Sequence, residues 1–311
     1  MTIIMSQHKE RLIILGSGPA GLTAGIYAAR GGVPPLLVAG YAPGGQLMNT
    51  TDVENFPGFE EPILGPKLMD RMIKQAIRMG VKMMEKDATS VNLKERPFKV
   101  VVEDEIYLAD SIIVALGAKS LELNIPSENA LKGRGVSYCA VCDGAFFKGG
   151  NVCVVGGGDT AIEDALYLTR LARQVTVIHR RDQLRASAIM QQRAFNEPKI
   201  RFIWNSVVKE VLGGSRVEGM KLLNLKDNTE STIQCDAVFV DIGHKPNTDI
   251  FQGQLELTEK GYIAVHDKTE TSVKGVFVAG DVADSLYRQA VSAAGDGCKA
   301  ALDALRYLET H

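Results

Sequence analysis

At 311 residues the chain exceeds what a single hydrophobic core usually serves, so two domains of roughly 100–200 residues are expected. Its 35 Lys and Arg against 37 Asp and Glu leave a surface with no general attraction to nucleic acid or anionic lipid. Five cysteines are too few and too scattered for a secreted disulfide framework, and the first residues show no basic segment leading into a long apolar one; no signal peptide and a cytoplasmic setting are expected.

Residues 11–15, RLIIL, form a short apolar run that ends in Gly16-Ser17-Gly18-Pro19-Ala20-Gly21. A helical apolar pattern then continues to about residue 29, and a second run follows at 36–39. This is the strand, loop, helix, strand order of a dinucleotide-binding unit. Its glycines permit a tight turn, close approach of a phosphate and close helix packing. Gly16, Gly18, Gly21 and Gly25 interrupt the apolar stretch over 12–29, which excludes a membrane span. In 64–79, Leu68, Met69, Met72, Ile73, Ala76 and Ile77 recur at three and four before Gly80, the pattern of an amphipathic helix. Residues 98–102 and 111–115 read as strands, the second running into Leu116-Gly117-Ala118, where the chain is expected to leave the domain.

The same grammar returns at 152–155, which runs into Gly156-Gly157-Gly158-Asp159-Thr160-Ala161, a helix to about 172 and a strand at 175–178. Two fingerprints in one chain, each between strand and helix, are poorly explained as chance turns. Beyond residue 201 the pattern is short and β-like up to 237–248. A run at 275–282 ends in Gly280-Asp281 before a helix over about 287–308, and this strand would close the first unit's sheet. The expected fold class is α/β: two Rossmann-like (FAD/NAD(P)-binding) three-layer domains, the second inserted into the first. The domains are 1–117 with 248–311, and 118–247.

The end of the second strand separates the cofactors. An acid there bonds a ribose 2'-hydroxyl, whereas arginines favour a 2'-phosphate. The second unit reads His179-Arg180-Arg181 with Arg185 following, which selects NADPH because guanidinium offers planar, always-charged donors to phosphate oxygens. The first unit ends in Val38-Ala39-Gly40, with neither acid nor base. FAD fits there because it lacks a 2'-phosphate, but its adenosine ribose is left without an assigned partner.

Cys139 and Cys142 stand three apart in SYCAVCDGAFF. Zinc needs four ligands, usually from two paired motifs, and Cys153, Cys235 and Cys298 are scattered singly, so no metal is expected. Cys153, inside the apolar strand NVCVV, reads as a buried structural thiol. Beside two dinucleotide units, a pair of this spacing fits a chain of electron transfer from nicotinamide to flavin to disulfide.

In order, GSGPAG, GGQL, DVENFPG, CAVCDG, GGGDTA, HRRDQLRA, IGHKPNT and AGDVADSLYRQAVSAAGDGCKAALDA resemble the bacterial-type, low-molecular-weight thioredoxin reductases over nearly the whole chain. The resemblance implies a homodimer, formed through the FAD domain, that reduces thioredoxin or a thioredoxin-like protein. A relative acting on another dithiol protein or a small-molecule disulfide carries the same motifs. By the resemblance, Gly16 to Gly21, with Ser17, Pro19 and Ala20 between the glycines, would cradle the FAD pyrophosphate. Gly45, Gln46, Leu47 and Asn55 would lie along the flavin. Gly280 and Asp281 would hold the ribityl chain, with Arg288, Gln289 and Ala290 closing the site. Gly156, Gly158, Asp159, Thr160 and Ala161 would take the NADPH pyrophosphate, with His179, Arg180, Arg181 and Arg185 around its 2'-phosphate. Cys139 and Cys142 would be the redox disulfide, Cys142 facing the flavin, and Asp143 would be the proton donor or acceptor.

The chain departs from the family at Leu116, often Thr, and at Asp241, usually a small residue. Cys142 lies fourteen residues before Gly156, so dithiol and NADPH site belong to one domain and the flavin to the other. Both must reach one ring, which implies that the inserted domain swings, with hinges at Gly117-Ala118 and between Gly243 and Asn247.

Overall fold

The computed structural model describes residues 7–50 and 52–311; residues 1–6, part of the segment on which the signal-peptide reading rests, lie outside it. The chain divides into two units, Met1–Lys119 with Pro246–His311, and Ser120–Lys245. It crosses between them at Ala118–Ser120 and His244–Pro246, and these two short strands pair with each other. Gly117 and Gly243 flank the crossings with φ of +65° and +121°, which side chains rarely adopt.

The first unit is built on a seven-stranded sheet. Its parallel part places Lys82–Met84, Leu36–Val38, Gln7–Leu15, Glu105–Val114 and Val276–Val278 side by side. Phe98–Val102 and Ala88–Asn92 then extend it in antiparallel fashion. Both faces are covered, as the near-continuous apolar run of the first strand requires. Leu12 and Ile14 join one buried cluster with Leu22, Met69, Phe277 and Ala304, whereas Ile13 and Leu15 join another with Phe98, Ile112 and Phe251. Each of these Leu, Ile, Met and Phe side chains contributes about 1.5–3 kcal/mol by leaving water. Small residues let the helices close up: a Cβ on Gly297, in helix Ala290–Thr310, would fall 2.0 Å from the Ala20 carbonyl of helix Pro19–Arg30.

Several element boundaries differ from those read in the sequence. The first strand begins at Gln7 rather than 11, because the polar residues Gln7 to Glu10 continue the ladder against Ile106 to Ala109. The last helix begins at Ala290 rather than about 287. The Asp284 carboxylate accepts from the backbone N–H groups of Leu286, Tyr287 and Arg288 and holds them in a turn, with Arg288 at φ +49°. The strand expected over 275–282 is only Val276–Val278, and Gly280–Val282 turns as a 3-10 helix.

The second unit carries a five-stranded, fully parallel sheet in the order Val136–Ser137, Ala237–Asp241, Asn151–Gly156, Gln174–Ile178, Ile200–Ile203. Val152 and Val154 face a cluster with Ile162, Leu168 and Phe239; Cys153 and Val155 face the other side with Met220, Leu222 and Val238. The second face is roofed by an antiparallel sheet of Ser206–Leu212, Gly219–Asn224 and Glu230–Gln234. Helix Asp159–Leu168 stops short of the expected 172. There the Thr169 hydroxyl donates back to the Leu166 carbonyl, and the Lys199 ammonium takes up the carbonyls of Thr169 and Ala172. Among the described residues no helix is long and apolar enough to cross a membrane.

Candidate active site

In the first unit the glycine loop sits where parallel strands end. Gly16 has φ +109°, and a Cβ on it would fall 2.2 Å from the Ala115 carbonyl; a Cβ on Gly21 would fall 1.9 Å from the Gly16 carbonyl. These two glycines are required by the protein's own packing. Gly18 differs: it is the N-cap of helix Pro19–Arg30 and has open space where its Cβ would be. The helix N-terminus there presents N–H groups to an anion, with Pro19 in the first turn, where its missing N–H costs nothing. The buried Ser17 hydroxyl is engaged inside the protein, donating to the Ala39 carbonyl at 2.8 Å and accepting from Gly44 N at 3.1 Å. Ala20 is buried against Gly280, whose own Cβ would stand 3.0 Å away.

Gly45, Gln46 and Leu47 lie in the 3-10 turn Gly45–Asn49, and a Cβ on Gly45 would come within 3.1 Å of Gly18 Cα. Asn55 donates to the Gln289 side chain at 3.3 Å, which brings together the sequence-distant GGQL and YRQA motifs of this unit. Gln289 caps the helix that Ala290 opens. Asp281 Oδ1 is buried with no hydrogen-bond partner, and burial pushes its carboxyl pKa up to about 6. A buried acceptor left without a donor is costly, so the group is poised to receive one.

The second unit repeats the loop with different neighbours. A Cβ on Gly156 would fall 2.3 Å from the Asp241 carbonyl, so Gly156 is held by packing, and Ala161 is fully buried beside it. Gly158, like Gly18, caps its helix over open space. Thr160 follows in the helix's first turn. The arginine segment is tied to this loop: the Gly157 carbonyl accepts from the N–H of Arg185 at 2.7 Å and of Ala186 at 3.1 Å, and Asp159 Oδ1 accepts from Ser187 N at 2.7 Å. The His179 ring packs against Gly157, with Nε2 buried and without a partner, and burial lowers its pKa. Arg180, Arg181 and Arg185 are exposed, and among the described residues none of them is in an ion pair.

Cys139 and Cys142 are joined by a disulfide with a Cα–Cα distance of 5.3 Å. Cys139 caps the one-turn helix Ala140–Asp143, its sulfur accepting from Cys142 N at 3.2 Å; Cys139 is half-buried and Cys142 exposed. The buried Ser137 hydroxyl accepts from Cys139 N at 3.1 Å and donates to Asp143 Oδ2 at 2.5 Å. Asp143 Oδ1 is buried with no partner, and burial raises its pKa against the lowering effect of Ser137.

Two features escaped sequence reading. Glu128 is fully buried and accepts from Leu123 N, Asn124 N and the Tyr138 hydroxyl, anchoring the strand that leads to Cys139. Cys153, buried as its apolar strand implies, meets the sequence-distant Cys235 in one core: a hydrogen bond to Cys235, then burial, raises the Cys153 thiol's pKa. Among the described residues no cluster of three or more His, Cys, Asp or Glu is arranged to hold a metal ion.

The family model for pyridine nucleotide-disulphide oxidoreductases matches residues 10–297. A thioredoxin reductase of Streptomyces coelicolor is 50% identical over 303 residues, covering 96% of this chain and 94% of its own. One from Chlamydia pneumoniae is 52% identical over 307 residues, covering 96% and 99%. Among solved structures, thioredoxin reductase from Giardia duodenalis superposes with a TM-score of 0.94 at 45% identity, covering 97% of this chain and 100% of its own.

Proposed function

Because the chain belongs to the pyridine nucleotide-disulphide oxidoreductase family, and within it to the thioredoxin reductases, we propose that it draws electrons from NADPH in the second unit and passes them through FAD in the first to oxidised thioredoxin. Its activity is reduction of the thioredoxin disulfide: NADPH and a proton are consumed, and NADP+ and a dithiol are released. The observation that carries the reading is the disulfide turn of Cys139 and Cys142, in the same unit as a glycine loop flanked by three exposed, unpaired arginines.

The residues fit both cofactors. Gly18 and Gly158 leave open space at helix N-termini where a pyrophosphate would sit, and Asp281 Oδ1 is a buried acceptor that a ribityl hydroxyl would satisfy. A bound flavin accepts the electron pair of a hydride from nicotinamide and yields it to a disulfide. Gly45, Gln46, Leu47, Asn55, Arg288, Gln289 and Ala290 would position it, and Arg180, Arg181 and Arg185 would select the 2'-phosphate of NADPH. Cys142, the more exposed of the pair, would be the sulfur that meets the flavin. Asp143, kept protonated to higher pH by burial and oriented through Oδ2 by Ser137, holds the proton that the leaving thiolate takes up. Two electrons and two protons convert the pair to thiols. One thiolate then attacks thioredoxin's disulfide, and the second releases the mixed disulfide.

The dithiol and the nicotinamide both need the flavin ring, yet they belong to the unit that lacks it. The second unit therefore turns about Gly117 and Gly243 between half-reactions. A homodimer formed through the first unit and a cytoplasmic setting belong to the same reading and are supported by family membership. NADPH-driven reduction of oxidised thioredoxin tests the proposal. Cys139→Ser and Cys142→Ser should each keep the flavin and lose more than about a thousandfold in rate, and survival of the activity would remove the pair from the mechanism. A rigid cross-link over the two crossings should likewise stop turnover with FAD retained.

A further inference from the structure

We propose that Asp87 is the carboxylate that binds the adenosine ribose hydroxyls in the first unit, delivered from the neighbouring strand to the place where the second strand's own acid is missing. This rests on the reading of FAD in that unit. The second strand ends Val38-Ala39-Gly40, without an acid. Leu36–Val38 pairs in parallel with Lys82–Met84, Val38 opposite Met84, and the two chains stay together beyond the strand ends. Ala39 N donates to the Met84 carbonyl at 2.7 Å, and Gly40 N to the Lys86 carbonyl at 3.1 Å. Asp87 is thereby carried alongside Gly40.

A Cβ built on Gly40 would meet a single atom within 4 Å, Asp87 Oδ1 at 2.9 Å. The carboxylate of residue 87 thus fills the space into which an acid at position 40 would grow. Gly40 has φ +79°, a conformation that favours glycine and opens that space. Asp87 Oδ1 also accepts from Tyr41 N at 3.3 Å, which fixes its position, and the residue is exposed. The adjacent Lys86 is turned to Glu103 at 2.9 Å.

The location is right for a ribose joined to a pyrophosphate on the glycine loop. Gly16 N donates to the Val38 carbonyl at 2.9 Å, and Ser17 Oγ to the Ala39 carbonyl at 2.8 Å, so the loop and Gly40 share one sheet end. A carboxylate accepts from ribose hydroxyls and repels a 2'-phosphate. Asp87 therefore makes this unit select an unphosphorylated adenosine ribose, as the arginines of the second unit select a phosphorylated one.

The test is titration of flavin-stripped protein with FAD and with FAD lacking the adenosine 2'-hydroxyl, read by quenching of flavin fluorescence. The unaltered protein should bind FAD roughly tenfold or more tighter than the deoxy analogue, the worth of a hydrogen bond to a charged group. Asp87→Ala should weaken FAD and bring the two ligands to about equal affinity. Asp87→Asn, which keeps an acceptor for Tyr41 N, should also lose most of the preference. Equal binding of the two ligands by the unaltered protein, or a preference preserved in both variants whatever the affinity, would overturn the assignment. Binding of neither flavin would instead remove the FAD reading itself.

Discussion

The two glycine loops follow one plan and differ at the end of the following strand. In both units one set of glycines is demanded by packing, Gly16 and Gly21 in the first and Gly156 in the second, while Gly18 and Gly158 face open space. In the first unit the chain after the second strand is bare at Gly40, and the Asp87 carboxylate, from the segment that follows the neighbouring strand Lys82–Met84, lies beside it. In the second, the segment bearing the arginines is tied to the glycine loop through Gly157 and Asp159. On the proposed reading, phosphate approach is a shared property of the loop, and the choice of dinucleotide lies in what is brought beside it.

The largest effect should come from removing the selective groups of the second unit. Replacing Arg180 and Arg181 together by Ala should raise the KM for NADPH about a hundredfold and leave NADH nearly unchanged, since each guanidinium bond to phosphate is worth roughly 1.5–3 kcal/mol. Equal losses for the two nucleotides would mean that these arginines do not read the 2'-phosphate. The glycines sharpen the comparison within each loop. Gly21→Ala and Gly156→Ala drive a methyl to 1.9 Å and 2.3 Å from carbonyl oxygens and should cost about 2–4 kcal/mol in thermal or denaturant unfolding. Gly18→Ala and Gly158→Ala should change stability by less than about 0.5 kcal/mol. The first should weaken flavin alone and the second nicotinamide nucleotide alone, each by about tenfold; crossed effects in binding titrations would dissolve the division of labour.

Asp281 provides a smaller, pH-dependent test. Its folded pKa, about 6, lies above the ordinary 3.8, so the folded flavin-free protein binds more protons than the unfolded chain between those values. Its contribution to stability is full below about pH 3.8 and is lost as pH rises through about 6. The Tm of the flavin-free protein minus that of Asp281→Asn should fall by a few degrees across this window, and a flat difference would show that burial does not govern the group. Smallest should be Ser137→Ala. Removing the hydroxyl that lowers the Asp143 pKa should move that group's limb of the pH–rate profile upward, with less than about a tenfold loss at neutral pH.

What was legible in the sequence is what short spacing encodes. The two glycine loops, the cysteine turn and the helix at Gly65–Arg78 each depend on residues within a few positions of one another. What was not legible depends on register between distant segments. Gln7 to Glu10 are polar, and only the ladder with Ile106 to Ala109 makes them strand. Asp87 comes beside Gly40 only because Val38 pairs with Met84, and Cys153 meets Cys235 only because both point into the same face of the second unit. Glu128 escaped because its partners are two backbone N–H groups and a tyrosine, which leave no charge or motif signature.

Anaerobic titration of the FAD-loaded protein with NADPH, followed by oxidised thioredoxin, tests the proposed electron path from end to end through the flavin's own absorbance. The account predicts bleaching by NADPH and rapid recovery on addition of thioredoxin, with recovery absent in Cys142→Ser. Bleaching without recovery in the unaltered protein would contradict the role of Cys139 and Cys142 as the bridge to thioredoxin.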